Sequence, residues 1–214
     1  MQPRANTSPR RPAARELFRH DAADGSIRQN GGQRIVAIAE PLLRSLHYSL
    51  SKTLDDGTPS VLYRTGYEWA LQEMLSLNQA MREEFGSTSF DFWQMDLKFL
   101  LETWWLSHES AGWGSLQMDL SALARGLAFL ELRGSAVAAA LTGASEPVCH
   151  LYAGLFAGAL SFCQRAERHA VEVQCSAMGK GTCRFVLGPG AEIDSAESWR
   201  KQGILPAEII RRLS

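Results

Sequence analysis

Residues 171–188 read VEVQCSAMGKGTCRFVLG, and this stretch limits the fold more than any other in the chain. Valines alternate with polar residues up to Cys175, a second apolar run follows Cys183, and Gly179 and Gly181 lie between them. Period-two alternation on both sides of a glycine-bearing turn specifies two antiparallel strands. Opposed positions on such strands stand about 4.5–5.5 Å apart at Cα, so Cys175 and Cys183 are brought together. The pair suits a disulfide, half of a metal site, a reactive thiol pair, or two buried thiols with no task.

The other segments supply helices and one more strand pair. Ile35, Ile38, Leu42, Leu43, Leu46 and Leu50 recur at spacings of three and four, which predicts a helix over 33–53, kinked at Pro41. A second helix is expected from Ser60 to Phe85, stopped by Gly86, and a third from Ser89 to Ser107. The third is rich in aromatic residues: Trp93, Leu97, Leu100, Leu101 and Trp104 form one stripe, with Phe90, Phe92, Phe99 and Trp105 beside it. The period then changes. LQMDLS (116–121) and LAFLEL (127–132) read as strands, Ala136–Leu141 as a short helix, and Pro147 to Arg165 as a longer one. The order of helices, two strands, helices, two strands argues for an α+β fold, an antiparallel sheet with helices on one side. Residues 1–31 lack sustained periodicity and are expected to be a flexible tail, with at most a short helix at Ala13–His20. Residues 32–188 then make a single domain. GPGAEIDS is expected to be a linker and LPAEIIRRL a short C-terminal helix, over 189–214.

Four cysteines in a chain without a secretory h-region suggest a reducing cytoplasm, where metal or free thiol comes before disulfide. Cys149 and Cys163 share one predicted helix but lie about 21 Å apart along it, so one small ion cannot bind both. Cys163 sits in AGALSFC and reads as a core thiol. Cys149, at the helix start, can supply a third thiolate. A structural zinc site needs a fourth ligand; Glu172, His150 and His169 are the local candidates. Glu172 is three residues before Cys175, so the two point to opposite faces of a flat strand, and a bulge or strong twist is required to unite them.

The stretch from Phe129 to Leu187 resembles the V4R, or hydrocarbon-binding, domain. FLELRGSAVAAAL, PVCHLYAGLFAG and VEVQCSAMGKGTCRF carry the likeness, with Cys149, Gly154, Glu172, Cys175, Ala177, Gly179, Cys183 and Phe185 at the signature positions. In the aromatic-sensing transcription activators of that family, the matching Cys, Glu, Cys and Cys bind a structural zinc. The resemblance therefore implies zinc on Cys149, Glu172, Cys175 and Cys183. It implies the fold shared with trafficking-complex subunits and haem-based NO sensors, and often a homodimer. Those activators hold a phenol with a His and a Trp. Only His108 lies near the aromatic helix here, and FLELRGS has no tryptophan.

The function expected is a non-catalytic binding module that senses or carries a small hydrophobic or aromatic ligand. Its pocket would lie between the aromatic helices and the sheet, lined by Trp93, Leu97, Leu100, Trp104, Phe129 and Tyr152, with output passed to a separate signalling or biosynthetic partner. The alternative is an auxiliary protein of tetrapyrrole (bacteriochlorophyll) biosynthesis, acting as a porphyrin carrier or a vinyl-reductase-like component. Other chemistry finds no support. A formal net charge of −1 gives no field for nucleic acid. No apolar run approaches the roughly 18 residues of a membrane span. No G-x-G-x-x-G follows a strand, and GKGT (179–182) breaks the phosphate-loop order. His47 and His108 read as surface or boundary histidines, with a haem axial role as the alternative.

Overall fold

The computed structural model describes residues 17–29, 32–86, 90–179 and 181–214, in two units, Met1–Ala37 and Ile38–Ser214. In the first, β1 (Phe18–Asp21), β2 (Ser26–Gln29) and β3 (Arg34–Ile35) form an antiparallel sheet in that order. The expected tail is thus strand at Phe18–Asp21 and Ser26–Gln29, and its residues 1–16 and 30–31 lie outside the described residues. Its turn is built by Asp21 and Asp24, whose carboxylates accept from the backbone N–H of Ala23 and Ser26, and by Gly25 at φ 67°. Strands this short carry too few alternations to register as a period. The helix expected at 13–20 falls partly outside the described residues, and Phe18–His20 are strand.

The second unit begins with α1 (Glu40–Leu54), where Pro41 stands in the first turn and so starts the helix instead of kinking it. A 3₁₀ turn at Asp55–Gly57 leads into the long α2 (Thr58–Phe85). The aromatic segment divides into a 3₁₀ turn at Phe92–Gln94 and α3 (Leu97–Ser110). The division follows from capping: Asp91 accepts from the N–H of Trp93, and Asp96 from that of Phe99. The expected start at Ser89 lies outside the described residues. Then come β4 (Ser115–Asp119), β5 (Ala128–Arg133), α4 (Ala136–Ala140), α5 (His150–Gln164), β6 (His169–Gln174) and β7 (Cys183–Gly188). Two more helices, α6 (Gly190–Lys201) and α7 (Pro206–Leu213), complete the chain.

The four strands form one antiparallel sheet in the order β4-β5-β7-β6. Alternation gives it two buried faces. Leu116, Ala128, Leu130, Leu132, Phe185 and Leu187 face the core that holds α2, α3 and α5. Phe129, Val171, Val173 and Val186 face the other way, onto Ile193 and Ala196 of α6 and Ile209 and Leu213 of α7. Helices therefore cover both faces, and the expected linker GPGAEIDS is helix from Gly190 onward. The stripe Ile193, Ala196, Trp199 packs α6 on the sheet, and Pro189 is its N-cap.

α5 is buried over every residue from Tyr152 to Ser161, as a helix apolar all round must be. Three glycines let it meet α2 backbone to backbone. A Cβ at Gly154 would fall 1.8 Å from the Tyr63 carbonyl oxygen, one at Gly158 2.4 Å from that of Tyr67, and one at Gly66 2.0 Å from that of Leu151. A methyl group there forces the helices apart. Gly154→Ala is expected to lower stability by about 3 kcal/mol, read as a lower urea midpoint. Gly57→Ala, whose added Cβ meets only Leu54 Cβ at 3.6 Å, is expected to leave the midpoint nearly unchanged.

Candidate metal centre and apolar cleft

Three elements deliver the four residues of the clasp. Cys149 is the N-cap of α5, Cys175 follows β6 and opens a 3₁₀ turn at Ser176–Met178, and Cys183 begins β7. Glu172 lies within β6. The bulge that Glu172 and Cys175 require is present: Glu172 pairs with Phe185 and Gln174 with Arg184, a register shift that leaves Val173 extra. The shift turns Cys175 back to the face that Glu172 uses. Gly179, at φ 79°, ends the 3₁₀ turn in a conformation open to glycine.

One ligand atom from each of Cys149, Glu172, Cys175 and Cys183 lies within 4.8 Å of the others, and all four residues are buried. All the cysteines are free thiols. Cys149 Sγ is 4.0 Å from Cys175 Sγ and 3.7 Å from Cys183 Sγ. Sulfurs bound at about 2.3 Å to one tetrahedral metal stand about 3.8 Å apart, so the spacing fits a shared ion. Glu172 Oε2 accepts the Cys149 N–H at 2.9 Å, while its Oε1 is buried with no hydrogen-bond partner among the described residues. A buried orphan carboxylate oxygen is costly, and a cation at the sulfurs would satisfy it.

The electrostatics point the same way. Hydrogen bonds from the Cys149 and Cys183 thiols pull Cys175 down to about 2. Hydrogen bonding to Cys175 pushes Cys149 well above the ordinary thiol value. Burial pushes Glu172 up to about 8. Protein groups alone thus support one thiolate; a divalent cation would let the remaining ligands ionise.

The residues set aside by helix geometry or left as alternatives lie elsewhere. Cys163 is half-buried near the far end of α5, and burial lifts its thiol to about 12. His150 lines a groove of about 300 Å³ with Tyr63, Glu172, Glu197 and Arg200, and burial lowers its pKa. His169 is half-buried, 3.7 Å from Glu167.

The second feature is a closed apolar cleft of about 10 Å³ between α3, α5 and the sheet. Leu101 and Trp104 line it from α3, Phe156 and Leu160 from α5, and Leu116, Met118, Ala128, Leu130 and Leu187 from the strands. Of the six residues expected to line a pocket, Trp104 is here. Leu100 and Tyr152 are buried in the surrounding core, and Leu97 packs at its edge. Tyr152 is fixed by donating to the Trp113 carbonyl at 2.6 Å. Trp93 is on the surface, its indole N–H on the Phe162 carbonyl and Arg165 over its ring. Phe129 lies away from this cleft: strand alternation puts it on the opposite face of the sheet, while its neighbours Ala128 and Leu130 face the cleft.

Sequence reasoning missed a buried polar group behind Trp104. Glu73 Oε2, on α2, accepts the Trp104 indole N–H at 2.8 Å and lies 3.1 Å from His108 Nε2. His108 is 5% exposed and stacks on Trp105, centroids 4.8 Å apart, so it is neither a surface nor a boundary histidine. A carboxylate between Ala70 and Leu77 on the apolar stripe of α2 was the available signal.

Residues 129–189 match the family model of the V4R domain. Among solved structures, the chain is similar to the phenol-responsive sensory domain of the transcription activator PoxR, with phenol. That likeness has a TM-score of 0.65 and 20% identity, over 81% of this chain and 85% of that one. It supports a shared fold. A vinyl-4-reductase family protein from Methanocaldococcus jannaschii aligns over 63% of this chain and 95% of its own, at 16% identity; its TM-score of 0.36 does not bear on the fold. No curated protein matches the chain. Among the described residues, no helix is long and apolar enough to cross a membrane.

If the clasp holds an ion, protein purified without chelator should carry one equivalent of metal per chain, read by elemental analysis. Cys183→Ser should lower that content at least tenfold, and Cys163→Ser should leave it unchanged.

Proposed function

We propose that this chain, whose residues 129–189 are matched by the V4R domain, is a non-catalytic module that senses or carries a small hydrophobic or aromatic ligand, its fold pinned by a structural zinc. The apolar cleft carries the ligand reading: each of its nine lining residues is apolar, and it lies between a helix pair and a sheet, where small-molecule sites are commonly built. The phenol named with the PoxR sensory domain supports an aromatic ligand. At about 10 Å³ the cleft is filled by its own side chains, so binding requires α3 to move off the sheet. A porphyrin would demand a far larger opening, which weighs against the tetrapyrrole reading. Zinc is the ion favoured by three thiolates and a carboxylate in a closed, buried set. Cys149, Glu172, Cys175 and Cys183 would hold it, and it would offset half of their charge and join α5 to the β6–β7 turn.

A panel of phenols, alkylbenzenes and fused-ring aromatics, followed by thermal shift and tryptophan quenching, tests the reading. A true ligand at a hundred times its Kd should add about 2.7 kcal/mol. Ala128→Leu, which adds bulk from β5 where the ligand would have to enter, should abolish that shift while metal content stays at one equivalent. No response to any member of the panel, from metal-loaded protein, would overturn the ligand reading.

A further inference from the structure

Two sulfurs of the clasp, those of Cys183 and Cys149, each lie within hydrogen-bonding reach of a serine hydroxyl. Ser176 Oγ lies 3.2 Å from Cys183 Sγ, and the Ser176 backbone N–H donates to the same sulfur at 3.4 Å. Ser135 Oγ lies 3.4 Å from Cys149 Sγ. A thiolate only accepts hydrogen bonds. Once the sulfurs are ionised around a cation, both serine hydroxyls must be the donors.

The charge balance gives these donors a task. Three thiolates and one carboxylate around a divalent cation leave a net charge of two minus in a buried setting. Such excess charge is tolerated only where donors disperse it. We infer that Ser176 and Ser135 are positioning residues of the metal centre: their hydroxyls orient and stabilise the Cys183 and Cys149 thiolates and so set how tightly the clasp holds its ion. The inference rests on the metal reading above. Ser135 has a second duty, because its Oγ also accepts the Ala138 N–H and caps α4. Ser176 opens the 3₁₀ turn after β6 and caps no helix, so its substitution isolates the effect on sulfur.

The test uses the full chain as wild type, Ser176→Ala and Ser176→Thr, loaded with cobalt(II) or with zinc in competition with a chromophoric chelator. Ser176→Ala should bind zinc about tenfold more weakly. Its sulfur-to-cobalt charge-transfer band should move to longer wavelength, because a sulfur that loses a hydrogen bond gives up electron density more readily. Ser176→Thr, which keeps the hydroxyl, should restore both. Ser135→Ala should weaken binding in the same direction. If wild type binds neither ion, the metal reading falls and this inference falls with it. If wild type binds and Ser176→Ala leaves affinity and band unchanged, the assignment of the serines alone is overturned. Weaker binding with an unmoved band and no rescue by threonine would also overturn it, since loss of folding stability explains that pattern.

Discussion

The backbone-to-backbone contact of α2 with α5 is the constraint on which the rest of the structure depends. Gly66, Gly154 and Gly158 remove the side chains that normally hold helices about 8–10 Å apart, and carbonyl oxygens of Tyr63, Tyr67 and Leu151 occupy the space. The contact fixes the depth of α5 in the core. It also fixes both ends of the functional region, because α5 starts at the clasp with Cys149 and lines the cleft with Phe156 and Leu160. Tyr63, on the α2 side, accepts the Ala170 N–H and so ties the helix pair to the edge strand β6.

The sheet meets this helix pair with one face and α6 and α7 with the other, so β5, β6 and β7 are buried on both sides. A strand with two buried faces cannot slip register without cost. The bulge at Glu172/Gln174 is therefore a fixed feature, and it lets a carboxylate and a thiol three residues apart share one face. The Gly143 N–H donates to the Ala177 carbonyl at 2.8 Å, which fastens the segment before Cys149 to the β6–β7 turn. The clasp is thus held by backbone hydrogen bonds on both of its approaches.

What the sequence made legible follows from signal length. The α2 stripe, the alternation of β5 to β7 and the glycine-bearing knuckle each span enough residues to declare a period, and each is where expected. That Glu172 can join Cys175 only through a bulge or strong twist was also readable, but the choice of Glu172 over His150 and His169 came from the family resemblance and not from strand geometry. The β1–β2 hairpin and α6 were not readable, because a four-residue strand and a helix opening GAEIDS carry little apolar period. Phe129 shows a different limit. Its place on a strand was clear, but which strand face met the aromatic helices depends on how α6 and α7 return to cover the other one. The Glu73–His108 pair was hidden for the same reason, as it joins two helices whose mutual register no local pattern encodes.

Clasp and cleft share α5 yet load it differently. The helix is held at its N-terminus by Cys149 and along its length by the glycine contact with α2, so it is a poor candidate to move when the cleft opens. The strands are equally constrained, because any shift of β5 or β7 must also displace α6 and α7. α3 is left as the movable wall. Its cleft-facing residues are Leu101 and Trp104, and the Trp104 indole and the His108 ring both tie it to Glu73 of α2. A ligand entering the cleft would therefore displace α3 against a buried polar anchor, because Trp104 and His108 both lie on α3 and would both be drawn from Glu73. A metal on the clasp would act on such a response indirectly: it would stiffen the surfaces against which α3 moves, so that the energy of ligand binding would be spent on one helix.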